Sequence, residues 1–310
     1  MIRKIKIIGC ANALPNNKIK FGNQTRYRLS ENQTILDLAE KAVQNALLDA
    51  ELKISDIDCI IAGMATPLQA IPCNAALIHE RVAFGTDIPA MDINTSCTSF
   101  ISALDIAAYM TDSGKYHRIL IVSGDTASAA LNPDQRESFE LFSDAVSAFI
   151  VSSCTEEKGV LFSTQKTWSE GAHDTEIRGG CGLMPSFMMT EENKTDYYFD
   201  MKGLRVLRLS AWRLPAFMRE SLERAEITLD EIDIVIPHQA SKALSFMMPK
   251  LKIPKEKYID HVSEYGNMIS ASVPFILCNA IHKKHIRQSN TIMLIGTAAG
   301  LTANLMILKV

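Results

Sequence analysis

Asp92-Ile-Asn-Thr-Ser-Cys97-Thr-Ser-Phe100 lies where one hydrophobic period gives way to another. Before it, the apolar residues of 88–93 read as a strand. After it, Ile101, Leu104 and Ala108 recur at helical spacing. Cys97 is therefore expected at or just before a helix N-terminus, where unpaired backbone N–H groups and the positive end of the helix dipole gather. A thiol placed there is expected to lose its proton readily and to become a nucleophile. Alone it reads first as an inert core residue, since free cysteine is among the most buried residue types. Its chemistry depends on what the rest of the chain brings to it.

Working outward, residues 3–10 read as a strand and residues 11–33 as a long polar loop around Pro15 and Gly22. Thr34 is placed to cap a helix over 35–52, whose buried face carries Leu36, Ala39, Ala42, Val43, Ala46 and Leu47. A short strand at Ile57–Ala62 and a helix near 72–83 follow, with Pro72 in its first turn. The helix after Cys97 is expected to end near Asp112, with Gly114 just beyond. Ile119–Ser123 and Ser143–Ser152 read as further strands, and residues 155–200, with Gly171, Gly179, Gly180, Gly182 and Pro185, as an irregular insertion over the surface.

The second half repeats the first. Ala46–Gly63 lies over Ser221–His238: Leu47 matches Leu222, Ala50-Glu51 matches Ala225-Glu226, Ile57-Asp58 matches Ile232-Asp233, and Ile61 matches Ile236. Each copy reads as a helix end, a turn and a buried strand. Late in each half an apolar strand meets a small-residue turn, at Leu120–Asp125 and Met293–Ala299. A period near 175 residues is too long for a solenoid and implies two similar α/β halves packed together.

The composition narrows the function. The 310 residues are 47% hydrophobic and 22% charged, as in soluble globular proteins. A net charge of −3 gives no overall pull toward nucleic acid or an anionic membrane, and no apolar run is long enough for a membrane helix. The N-terminal apolar run is too short for a signal peptide. The seven cysteines are odd in number and form no C-x-x-C pair, and the seven histidines do not cluster with them. This argues against a disulfide framework or a zinc site and for a reducing, cytoplasmic setting. His282 and His285, spaced i, i+3 among basic residues, read as the charged end of a helix rather than as a metal pair. Gly179-Gly-Cys-Gly182 lacks the spacing of a dinucleotide-binding turn, and Cys181 has no evident base.

Two stretches of the second half could partner Cys97. His238 ends the strand Ile234-Val-Ile-Pro-His, and Asn267 sits in a glycine turn, Tyr265-Gly-Asn-Met-Ile-Ser-Ala-Ser-Val-Pro274, ahead of small residues that allow close helix packing. Each has an ordinary reading, as a satisfied polar residue or a common Gly-Asn turn. Together they place a thiol, an imidazole and an amide at element ends of two duplicated halves.

In this order the chain resembles the beta-ketoacyl-acyl carrier protein synthase III family of thiolase-fold condensing enzymes over nearly its whole length. The resemblance rests on Asp92 to Phe100, Leu141-Phe-Ser-Asp-Ala-Val-Ser-Ala, Met201-Lys-Gly-Leu-Arg-Val, Pro237-His-Gln-Ala240, Gly266-Asn267 with Ser272-Val-Pro274, and Gly296-Thr-Ala-Ala-Gly300-Leu-Thr. It implies a five-layer α/β/α/β/α fold of two halves, residues 1–155 carrying the nucleophile and 156–310 the histidine and asparagine, assembled as a homodimer. Cys97 would take an acyl group from acyl-CoA or acyl carrier protein. The backbone N–H groups of Cys97 and Gly300 would hold the oxyanion. His238 and Asn267 would hold the enolate left when a malonyl thioester loses carbon dioxide. No cofactor is implied beyond these thioester substrates.

The departures are specific. The family's CoA-clamping Trp is absent from residues 11–33, and Lys20 stands near its Arg position without the planar fork. Ile71 replaces an aromatic residue that lines the partner subunit's acyl tunnel, and Arg208 stands where a basic residue faces the acidic carrier. Ser241 and Ala243 replace the usual Asn and Arg, and Thr297-Ala-Ala-Gly300 replaces a triple-glycine turn. These changes suit a specialised relative in secondary or cofactor metabolism at least as well as the initiator of fatty-acid synthesis. Two alternatives stay open: transfer of the acyl group to an alcohol, amine or water with His238 as general base, and a non-catalytic partner subunit.

Overall fold

The computed structural model describes residues 2–310. The first half contains β1 (Arg3–Ala13), a hairpin of β2 (Asn17–Phe21) and β3 (Gln24–Arg28), α1 (Ile35–Asp49), β4 (Cys59–Ala62), α2 (Asn74–Val82), β5 (Ala90–Asp92), α3 (Ser99–Asp112), β6 (Arg118–Asp125), the short α4 (Arg136–Phe139) and β7 (Ala145–Ser153). The second contains β8 (Gly159–Thr167), the two-residue strands β9 (Thr175–Glu176) and β10 (Asp200–Met201), α5 (Gly203–Ala225), β11 (Ile234–Pro237), α6 (Leu244–Lys250), α7 (Val262–Tyr265), α8 (Ser272–His282), β12 (Thr291–Ala298) and β13 (Thr302–Lys309).

Nine strands form the main sheet in the order β11-β12-β13-β8-β1-β7-β6-β4-β5. Read outward from the middle, the halves follow one plan: β1-β7-β6-β4-β5 on one side and β8-β13-β12-β11 on the other. A lone parallel bridge between Val235 and Tyr258 stands where the second half would carry its fifth strand. Within the sheet the two halves meet where β1 pairs with β8, Arg3 with Val160 and Lys4 with Gly159.

Alternation along the strands explains the layers. On β6, Ile119 and Ile121 face the central cluster with α3 and α8, whereas Leu120 and Val122 face α1 and α2. On β12, Ile292 and Leu294 turn to the same central cluster, and Met293 and Ile295 turn to α5 and α6. Both strands are buried on both faces and so read as unbroken apolar runs. The result is the five-layer arrangement, with α3 and α8 in the middle.

The duplication is visible in detail. After α1 and after α5 the chain turns through a left-handed glutamate, Glu51 and Glu226, each with φ of 55°. A 3₁₀ turn follows in each copy, Ile54–Asp56 and Leu229–Glu231. Asp58 and Asp233 then anchor the next strand alike: the backbone N–H of Arg118 and of Thr291 each donates to the aspartate Oδ2 at 2.8 Å. Thr34 caps α1 in a reciprocal box with Asp37. α2 begins at Asn74 without a cap from its own Cys73, and Pro72 stands ahead of the helix rather than in its first turn. The carboxylate of Asp92 supplies the cap, accepting from the N–H groups of Asn74 (3.0 Å) and Ala75 (2.7 Å).

Two segments differ from the sequence reading. Residues 11–33 are not one irregular loop: β1 runs to Ala13, and a hairpin turns at Gly22, whose φ is 58°. Polar alternation such as Lys18-Ile-Lys20 is the signature of a strand exposed on one face, and composition alone hid it. Residues 159–167 are a central strand rather than part of a surface insertion, and the irregular segment begins after Thr167. Among the described residues no helix is long and apolar enough to cross a membrane.

Candidate active site

Cys97 precedes α3 by two residues, with Thr98 between as N-cap. Ser96 is forced into the left-handed region, φ 55°, and its N–H is held by Asn94 Oδ1 at 2.8 Å. Ser99 closes the turn, its hydroxyl donating to Ser96 O at 2.6 Å. The second central helix is entered in the same way. Ile269, a β-branched residue at φ 50°, precedes α8, and such a backbone persists only where its surroundings impose it.

A cavity of about 610 Å³ opens between the halves. Cys97, His238, Asn267 and Gly300 all line it, as do Ala299, Phe142 and Ile269. Lys20, Ile71 and Arg208 do not. Lys20 is exposed on the hairpin and donates to Thr25 Oγ1 at 2.6 Å. Ile71 is 84% exposed, and Arg208 is exposed on the outer side of α5. The segment after β8 forms the outer wall with Gly171, Asp174, Ile177 and Cys181. Arg178 holds that wall by ion pairs to Glu176 (2.8 Å) and Asp196 (2.7 Å).

Electrostatics at Cys97 run against the sequence expectation. Burial pushes the thiol up to about 11, against the opposing hydrogen bond from Ser96, and the buried carboxylate of Asp125 pushes the same way. The backbone N–H groups of Ala299 and of Cys97 itself oppose the shift. Position at a helix start favours the thiolate, but removal from water outweighs it. His238 is 4% exposed, and burial depresses its imidazole to about 4, so the ring is neutral at pH 7. Its Nδ1 is buried without a hydrogen-bond partner. Gly296 lies beneath it: a Cβ there would meet His238 Cβ at 2.9 Å and Thr98 Cγ2 at 3.0 Å.

Asn267 is held on every side. Its N–H donates to Leu141 O (3.0 Å), and its carbonyl accepts from Ser143 N (2.9 Å). Its side-chain Oδ1 accepts from Ile269 N at 2.8 Å, and Nδ2 donates to Ala240 O at 3.1 Å. One Nδ2 hydrogen is left over. Gly266 is required before it: φ is 75°, and a Cβ would lie 2.5 Å from Leu141 O and 2.6 Å from Arg26 Cδ.

Two supporting residues were not read from sequence. Arg26 is fully buried beneath this turn, donating to Glu140 O (2.8 Å), Thr25 O (2.6 Å) and Val262 O (3.2 Å), and so pins the hairpin to the Asn267 loop. Its place in a polar, loop-like stretch gave no sign of burial. Asp125, also fully buried, accepts from Thr66 N (2.9 Å), Thr66 Oγ1 (2.8 Å) and Ser270 N (3.2 Å), tying the two halves together behind Cys97. A carboxylate closing an otherwise apolar strand was the available signal.

Comparison with known proteins bears on the fold and on the family. Residues 91–169 match the family described as 3-Oxoacyl-[acyl-carrier-protein (ACP)] synthase III, and residues 222–310 match its C-terminal counterpart. A beta-ketoacyl-[acyl-carrier-protein] synthase III of Clostridium perfringens is 31% identical over 294 residues, covering 94% of this chain and 89% of that one. Its counterpart from Aquifex aeolicus is 30% identical over 284 residues, covering 91% of this chain and 86% of that one. A crystal structure of 3-oxoacyl-[acyl-carrier-protein] synthase III from Aquifex aeolicus superposes with a TM-score of 0.87 at 26% identity, covering 99% of this chain and 100% of that one. The priming beta-ketosynthase of the R1128 polyketide pathway shares the fold, with a TM-score of 0.87 at 21% identity and coverage of 99% and 96%.

Proposed function

The chain belongs to the 3-oxoacyl-[acyl-carrier-protein] synthase III family of condensing acyltransferases, and we propose that Cys97, His238 and Asn267 carry out its decarboxylative Claisen condensation. Cys97 thiolate attacks an acyl thioester, expels CoA or a carrier thiol and keeps the acyl group. The backbone N–H groups of Cys97 and Gly300 stabilise the tetrahedral oxyanion, and Ala299 N–H supports the sulfur. A malonyl thioester then loses carbon dioxide. The enolate oxygen takes hydrogen bonds from His238 and from the spare Nδ2 hydrogen of Asn267, and the carbanion displaces Cys97 to give a beta-ketoacyl thioester.

One observation carries this reading: a neutral imidazole and an unspent amide N–H line the same cavity as the thiol. With Nδ1 buried and unpartnered, the tautomer we assign carries its proton on Nε2, because an orphaned acceptor is tolerated better than an orphaned donor. The same observation disfavours the general-base alternative. An imidazole depressed to about 4 is a weak base and a good neutral donor.

We further read residues 1–155 and 156–310 as halves supplying the nucleophile and the enolate donors, and the assembly as a cytoplasmic homodimer. The exposure of Ile71 (84%) and Phe84 (85%) supports a second copy covering them, with Ile71 reaching the partner's acyl tunnel. Arg208 is free to meet an acidic carrier protein, and Lys20 to meet CoA phosphates. The altered Lys20 and Ile71 positions favour a specialised acyl substrate.

Intact-mass measurement after incubation with a panel of acyl thioesters tests the assignment. Acyl mass is expected on the native chain and not on Cys97→Ala, followed by malonyl-dependent carbon dioxide release. An adduct on Cys97→Ala would refute the nucleophile. Acylation without carbon dioxide release for any acyl donor would refute the condensation.

A further inference from the structure

At the opposite end of α8 from Asn267, about 15 Å along the helix axis, a second cluster of reactive side chains stands apart from the cavity. Cys10 comes from β1, Cys278 and His282 from successive turns of α8, and Asp49 from the last turn of α1. One ligand atom from each of Cys10, Cys278 and His282 lies within 4.8 Å of the other two. Cys10 Sγ is 3.7 Å from His282 Nε2, which is itself 3.4 Å from Asp49 Oδ2. Cys278 Sγ is 4.0 Å from His282 Nδ1. Sequence spacing concealed the group, since its members lie up to 272 residues apart.

We propose that Cys10, Cys278, His282 and Asp49 bind a single zinc ion that clamps α1, β1 and α8 together. The spacings suit it: about 3.5 Å separates sulfur and nitrogen ligands, and slightly more separates two sulfurs, around one tetrahedral zinc. Two thiolates, an imidazole and a carboxylate form a soft, mixed donor set that selects zinc over calcium or magnesium. The two sulfurs are 1% exposed, as in a closed structural site, while His282 (47%) and Asp49 (41%) stand at the surface and leave a path for the ion. The carboxylate is already oriented, because the backbone N–H of Cys10 donates to Asp49 Oδ2 at 2.9 Å. Each thiol releases its proton to solvent as its metal–sulfur bond forms. One imidazole nitrogen already lies within 4.8 Å of both sulfurs.

The test is titration of the full-length, reduced protein with zinc ion against a chromophoric chelator, with thermal melting in parallel. It is run in Cys97→Ala so that the cavity thiol is not counted. One ion per chain is expected, with a rise in melting temperature. His282→Ala, a change at an exposed position, is expected to bind at least about tenfold more weakly. Cys10→Ser with Cys278→Ser is expected to lose the ion altogether. A chain that binds no zinc, or one whose zinc survives both His282→Ala and the double serine change, overturns the proposal. So does a Cys10–Cys278 disulfide that persists in place of the metal.

Discussion

The backbone N–H of Ile269 donates to Oδ1 of Asn267 at 2.8 Å, which turns the amide nitrogen toward Ala240 and the cavity. An aspartate could accept the same bond but would offer the substrate no donor. Asn267→Asp is therefore expected to slow condensation by about 10²–10³, the usual effect of removing one oxyanion donor. Acylation of Cys97 should survive. Parallel measurement of acyl mass and malonyl decarboxylation separates the steps, and equal loss of both would count against an enolate role for Asn267.

The pH dependence of the first step follows from the thiol. Burial sets Cys97 near 11, and the neighbouring imidazole, depressed to about 4, carries no charge that could lower it. Only the thiolate reacts, and its fraction rises about tenfold per pH unit below the pKa. Carbamidomethylation of Cys97 by iodoacetamide in the free enzyme should climb with that slope from neutral pH upward. A plateau reached near pH 7 would show a thiol activated after all.

His238 also links stability to acid. Folded, its pKa is about 4, against the ordinary 6.5, so between these values the unfolded chain binds the extra proton. Stability contributed by the neutral ring is complete above the ordinary value and is lost as pH falls toward about 4, by roughly 3 kcal/mol. The buried carboxylates Asp125 and Asp144 are pushed up by burial and act in the opposite sense, so the comparison must be internal. His238→Gln should flatten the loss of melting temperature between pH 6.5 and 4 relative to the native chain. Parallel curves would mean the ring is not buried neutral.

Much of this architecture was legible because it is written in hydrophobic period and repeated. Ile119–Ser123 is buried on both faces, and the pairing of Ala50-Glu51 with Ala225-Glu226 foretold two identical turns. Cys97, His238 and Asn267 stood out as polar residues at element ends. What stayed hidden depends on contacts distant in sequence. Arg26 looks like a solvated charge until the Asn267 loop closes over it. The thiol's high pKa comes from burial by both halves, which outweighs the helix start that sequence could show. The Cys10 cluster needs three elements folded together before it exists.

Gly296 separates the two sides of the reaction, since a Cβ on it would press on His238 Cβ at 2.9 Å and on Thr98 Cγ2 at 3.0 Å. Both neighbours are buried, so neither can yield without moving what it carries: the imidazole on one side and the turn after Cys97 on the other. No positive φ is involved, so alanine adds no backbone strain there, and the chain should still fold. Overpacking of this kind costs about 1–3 kcal/mol in stability. The larger effect is on chemistry, because displacements of an ångström in reacting groups cost up to about 10²-fold in rate. Gly296→Ala is therefore expected to lower kcat by more than its modest drop in melting temperature suggests, with acylation and decarboxylation both slowed. Unchanged kcat in a folded Gly296→Ala protein would show that His238 and the Cys97 turn can separate freely, and would remove the basis for their joint action.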